Sequence, residues 1–118
     1  MRSQCFGTVL AWVLAMLAYE DMDVYRLAVE VNRWFGGASF PRGRSHLREQ
    51  GVRAMDSVVC NIAEGLSKQG PSRRRALDIA AGEAGEANAV LDCVALAGGA
   101  EQQGKLRRIG AMVAKLSR

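Results

Sequence analysis

The chain has 118 residues, 49% of them hydrophobic and 24% charged, enough for one domain that buries roughly two thirds of the surface its unfolded chain would expose. Its three cysteines, Cys5, Cys60 and Cys93, are odd in number and far apart with no CxxC pair, so no zinc or dithiol motif is present and the fold needs no staples. Sixteen basic residues against twelve acidic ones give a net charge of +4. That charge sits in the middle: residues 42–75 hold eight bases against three acids, which suits an anionic partner or plain solvation and says nothing of the fold.

The first stretch, Phe6 to Tyr19, is apolar and follows Arg2, so a signal peptide or anchor has to be weighed. The uninterrupted run from Thr8 to Ala18 is too short to span a bilayer as a helix, which takes about 20 apolar residues. Cleavage after Ala15 or Ala18 would fit export. Two other readings are favoured: residues 1–18 form an extra hydrophobic helix packed on the domain, or they are an upstream extension and the start is Met16 or Met22. The domain itself is expected over residues 19–118.

From Tyr19 to Phe35 the spacing of Met22, Tyr25, Ala28, Val29 and Phe35 is that of a helix face. A second apolar row, Val24, Leu27, Val31 and Trp34, makes this first helix wider in apolar surface than one packing face requires. The excess is assigned to an oligomer interface. Gly36 and Gly37 stop the helix, and the segment through Phe40, Pro41 and Gly43 is punctuated as a loop.

A second helix follows, with Ser45 as N-cap and Leu47, Gly51, Met55, Val58, Ile62 and Leu66 as its core row. It ends between Gly65 and Gly70, and Ser72 is expected to cap a third helix. So short a turn makes the two antiparallel neighbours. The third helix is expected to run to about Ala97, with Leu77, Ala80, Ala84, Ala87, Leu91 and Val94 inward and Gly98 and Gly99 ending it. Cys60 and Cys93 fall in its and its neighbour's apolar stretches and read as small hydrophobes. After a loop at Ala100 to Gly104, the row Leu106, Ile109, Val113 and Leu116 has the narrow seam of a bundle helix. With no strand alternation anywhere, the fold class is all-α: an antiparallel up-down-up-down four-helix bundle.

Little here suits catalysis. The single histidine, His46, has no partner motif and reads as a solvated residue at a helix start. Glu83 and Glu86 have the spacing of a bundle metal motif without its histidine, so no metal or cofactor is expected. There is no P-loop, GxGxxG or GxSxG. The chain reads as a non-enzyme.

Two polar features remain. Across a turn centred between Gln69 and Gly70, antiparallel pairing would set Arg53 opposite Glu86, Asn61 opposite Asp78 and Glu64 opposite Arg75, as interhelical pairs. Arg73, Arg74 and Arg75 occupy the first turn of the third helix, where the dipole disfavours positive charge, so something else must favour them. With Lys68, Arg42, Arg44 and Arg48 they could form a phosphate-binding patch. No aromatic interleaves with these arginines, so binding would be led by the nucleic-acid backbone and sensitive to salt.

The string LREQGVRAMDSVVCNIAEG, Leu47 to Gly65, resembles the signature of a four-helix-bundle family. That family includes the proteins encoded in intervening sequences of bacterial 23S ribosomal RNA genes and the accessory variability determinants of diversity-generating retroelements. Gln50, Arg53, Ala54, Ser57 and the block Asn61 to Gly65 carry the resemblance, with Phe40 and Pro41 ahead of them. In the third helix Ile79, Ala80, Gly82 and Glu86 match, and YEDMDVYRLA from Tyr19 is similar to the usual start of helix one. The resemblance covers about residues 19 to 116. It departs from the pattern at Arg73 and Ala76, where aromatics are usual, and at Glu83, where serine is common. It implies a ring-shaped homo-oligomer, a pentamer, binding RNA or DNA and a reverse transcriptase or other protein as an accessory factor, while the unpaired cysteines and the short apolar run make a cytoplasmic chain with no membrane association the expectation. The rival expectation is a structural or protein-interaction module whose arginines only solubilise it.

Overall fold

Three of the four expected helical segments keep their apolar rows, and the first turns about its own axis. The computed structural model describes Val9, Leu10 and residues 22–118. Along 22–118 it has α1 (Asp23–Gly37), α2 (Ser45–Leu66), α3 (Gly70–Cys93) and α4 (Gly99–Leu116), and no strand among the described residues. Cys5, the rest of the apolar stretch and Tyr19 to Asp21 lie outside the described residues. Val9 and Leu10 are helical and exposed.

The helices pack as a closed set, α1 on α2, α2 on α3, α3 on α4 and α4 on α1. The largest contact joins α2 and α3. In α2 the core is Gly51, Ala54, Met55, Val58, Ile62 and Gly65, with Leu47 and Leu66 half-buried at its ends. The six positions expected inward on the third helix, Leu77, Ala80, Ala84, Ala87, Leu91 and Val94, are all buried, five of them in α3 and Val94 just past its end. Leu106, Ile109 and Val113 of α4 are buried and Leu116 is half-buried.

Small residues set how closely these helices approach. A Cβ on Gly65 would come within 2.9 Å of the Leu77 side chain, and one on Gly51 would overlap the Phe35 ring. Phe35 is fully buried, set edge-on to Trp34 and tilted over Phe40 with ring centroids 6.5 Å apart.

In α1 the inward row is Val24, Leu27, Ala28, Val31 and Phe35, all buried in the core of a single chain. Val24, Leu27 and Val31 are therefore core residues and cannot form the oligomer interface assigned to them. Met22 is exposed, and Tyr25, Val29 and Trp34 are half-buried. Both rows of α1 are apolar, so periodicity alone does not choose between them. The inward face takes Ala28 and Phe35 from one row and Val24, Leu27 and Val31 from the other, and leaves Tyr25 and Trp34 half-buried at the rim, where a polar tip can stay near water.

The boundary between α3 and α4 also differs from expectation. α3 ends at Cys93, Val94 is extended, and the glycine pair opens α4 instead of closing α3. Gly98 takes the left-handed conformation at φ 82° and its carbonyl accepts the Gln102 N–H, so the expected loop from Ala100 to Gly104 is helical. A Cβ at Gly98 would lie 3.4 Å from the Trp34 indole nitrogen. Neither expected serine caps a helix: the N-caps are Arg44 and Gln69, without side-chain capping bonds. Pro71 sits in the first turn of α3, where its missing N–H has no intrahelical partner to lose.

Cys60 and Cys93 are both exposed, so they are surface thiols and not core fillers.

Candidate nucleic-acid interface

The seven cations expected to share one patch fall into two groups at opposite ends of α2. That helix has 22 residues, which at 1.5 Å per residue separates its ends by about 33 Å. Arg42 and Arg44 flank Gly43 ahead of α2, all exposed, and Gly43 turns the chain at φ 85°. Arg48 belongs to that end but is already engaged. Its Nε donates to the Ala38 carbonyl at 3.2 Å and its Nη2 to the Gly36 carbonyl at 2.6 Å. A cation on the last carbonyls of α1 satisfies acceptors that helix geometry leaves open and complements the dipole. Arg48 is thus a cap for α1 rather than a phosphate ligand.

The other group is Lys68, Arg73, Arg74 and Arg75. Arg73 Nε donates to the Leu116 carbonyl at 3.4 Å and Arg74 Nε to the Ser117 carbonyl at 3.2 Å. The start of α3 therefore lies beside the end of α4, whose negative dipole end explains why positive charge is tolerated in the first turn of α3. It also brings Lys115 and Arg118 to the same end, two cations that sequence order places some forty residues away. Lys68 pairs with Glu64 one helical turn back. Both partners are about half exposed, 46% and 53%, so the pair adds little stability and screens readily. Arg75 is exposed and makes no hydrogen bond or ion pair with the described residues.

None of the three expected interhelical pairs forms. Asn61 Nδ2 donates to the Ser57 carbonyl at 2.9 Å and to the Ser57 hydroxyl at 3.1 Å, and Glu64 takes Lys68. Arg53 is exposed on α2 without a partner among the described residues. Local partners three or four residues away win because they order fewer groups than a contact between helices. Asn61, Glu64 and Arg75 do line one groove.

The polar links between helices are others: Asn32 Nδ2 to Asp56 Oδ1 at 2.8 Å, Gln103 Nε2 to Asp92 Oδ1 at 2.7 Å, and Lys105 Nζ to Glu30 at 3.5 Å. Each joins two different helices, so the periodicity within one helix carries no sign of them.

Burial, then the hydrogen bond and charge of Glu86, raise the Glu83 carboxyl above its usual range. His46 is exposed at the start of α2. Among the described residues no three His, Cys, Asp or Glu side chains gather as a metal site, and no helix is long and apolar enough to cross a membrane.

Two open grooves flank the start of α3. One, about 270 Å³, is lined by Asn61, Glu64, Lys68, Ser72, Arg75, Ala76 and Ile79. The other, about 430 Å³, is lined by Pro71, Arg74, Arg75, Asp78 and Ile79. Arg75 and Ile79, one turn apart, form the ridge between them.

Compared with known proteins, the chain matches no family model, no curated protein and no solved structure.

Proposed function

We propose that the chain is a non-catalytic, cytoplasmic accessory factor that binds the phosphate backbone of RNA or DNA at one end of an antiparallel up-down-up-down bundle. The observation that carries this reading is the gathering at that end of Lys68, Arg73, Arg74 and Arg75 with Lys115 and Arg118 of the α4 terminus, Arg75 being exposed and unengaged. Cations from separate elements beside one another suit a polyanion, and the guanidinium fork suits phosphate oxygens. Arg42 and Arg44 would make a second, separate contact. The closed order of helix contacts and the hydrogen bonds from α3 to the α4 end support the antiparallel course.

The resemblance of Leu47 to Gly65 to the intervening-sequence and retroelement family supports assembly into a homopentameric ring and a protein partner such as a reverse transcriptase. With Val24, Leu27 and Val31 buried, assembly would use an outward surface, such as the α3 face at Gly82, Gly85 and Ala89.

A second reading is favoured by one observation: Arg73 and Arg74 already serve the α4 carbonyls. On that view the arginines hold the bundle end together and the chain is a structural or protein-interaction module. Replacing Arg75 alone by glutamine separates the two, because it leaves those hydrogen bonds in place. Weaker binding to every oligonucleotide tested would support the backbone reading, and unchanged binding would support the module.

A further inference from the structure

Ile79 is a large hydrophobe left 42% exposed on α3, one turn beyond Arg75 on a helix that otherwise buries its bulky apolar side chains. It also forms, with Arg75, a wall of both grooves at this end. The grooves are not uniformly basic: Glu64 and Lys68 face Arg75 on one side, Arg74 and Asp78 on the other. Carboxylates among the cations weaken the ridge as a site for phosphate alone. They suit a ligand that is anionic in one part and apolar with amino donors in another.

We infer that the Arg75–Ile79 ridge seats an unpaired nucleotide of a single-stranded RNA or DNA segment, its phosphate on Arg75 and its base against Ile79. This inference rests on the nucleic-acid reading above. In a duplex the base faces are stacked and their amino groups paired, whereas an unpaired base offers its face to an apolar side chain and its amino groups to a carboxylate. Asp78 on one side of the ridge can accept such a donor, and Glu64 on the other has its second oxygen beyond the Lys68 pair. No aromatic among the described residues lines either groove, so the contact is aliphatic packing rather than stacking, and preference among bases comes from their amino groups.

The test is fluorescence anisotropy on the full chain with short labelled single strands of mixed sequence, in RNA and DNA form, and the matching DNA duplex, all at one low salt concentration. Ile79→Gln, Arg75→Gln and Arg42→Gln are compared, with thermal melts to confirm that each folds. The single strands are expected to bind about tenfold tighter than the duplex. Ile79→Gln should lower single-strand affinity about fivefold and leave duplex affinity unchanged, while Arg75→Gln lowers both. Preference for one sugar over the other identifies which single strand the seat takes. Equal affinity for strand and duplex, with Ile79→Gln without effect on either, would overturn the seat and leave backbone binding standing. Binding to neither probe at low salt would overturn both. Ile79-dependent binding of an acidic apolar peptide with no binding of oligonucleotide would likewise overturn the seat and assign the ridge to a protein partner.

Discussion

The ring of Phe35 fills the space in front of Gly51, where a Cβ would lie 2.6 Å from its Cδ1. This contact, between the last turns of α1 and the second turn of α2, sets the distance between the two helices. Gly51→Ala should destabilise the fold by about 1–3 kcal/mol through overpacking, despite alanine's better helix propensity. Phe35→Leu in the same chain should recover part of that loss. Urea unfolding of the two single variants and the double variant checks it, and additive losses would contradict the contact.

Arg48 predicts a separation of stability from binding. Its guanidinium holds two carbonyls at the end of α1, so Arg48→Gln should cost about 1–2 kcal/mol in chemical denaturation while oligonucleotide affinity stays as it was. A large loss of affinity without loss of stability would return Arg48 to the binding surface.

The arginine triplet divides in the same manner. Arg73→Gln and Arg74→Gln together should lower the melting temperature and loosen the end of α4, seen as faster amide exchange near Val113 to Ser117. Arg75→Gln should leave both unchanged. Equal protection in all three chains would remove the capping role.

Glu83 gives a pH dependence of known sign. Its raised carboxyl pKa means that the folded chain binds more protons than the unfolded one above the usual value of 4.5. Stability is therefore lost as pH rises from 4.5 through the raised pKa. Glu83→Gln removes a like-charge contact with Glu86 and should stabilise the chain at neutral pH by about 0.2–0.5 kcal/mol. That gain should shrink as pH falls below the raised Glu83 pKa, where Glu83 is itself neutral; melts across pH 3–7 decide it.

The helices were legible wherever one apolar row stood alone. Met55, Val58 and Ile62, or Leu77, Ala80 and Ala84, have a single way to face inward, and they do. α1 was ambiguous because two of its rows are apolar, and the choice depends on which side chains carry polar tips to the rim. The Gly98–Gly99 pair was misread because a glycine that ends one helix and a glycine that opens the next look alike in sequence. The basic patch failed for a different reason. Arg42, Arg44 and Arg48 stand near Arg73 to Arg75 in the charge count, but a 22-residue helix divides them, while Lys115 and Arg118 arrive from a helix the count left out. The carbonyls that engage Arg48, Arg73 and Arg74 belong to other helices, and only the packed chain brings them within reach.

The most direct measure of backbone binding is the salt dependence of affinity for a labelled duplex, followed by anisotropy from low to physiological salt. The account predicts a linear fall of log affinity with log salt, with a slope equal to about 0.9 per phosphate contacted, for several contacts. Arg75→Gln should reduce that slope by about one contact. Affinity independent of salt, or no binding at low salt, would contradict the account and leave a bundle whose arginines serve only its helix ends.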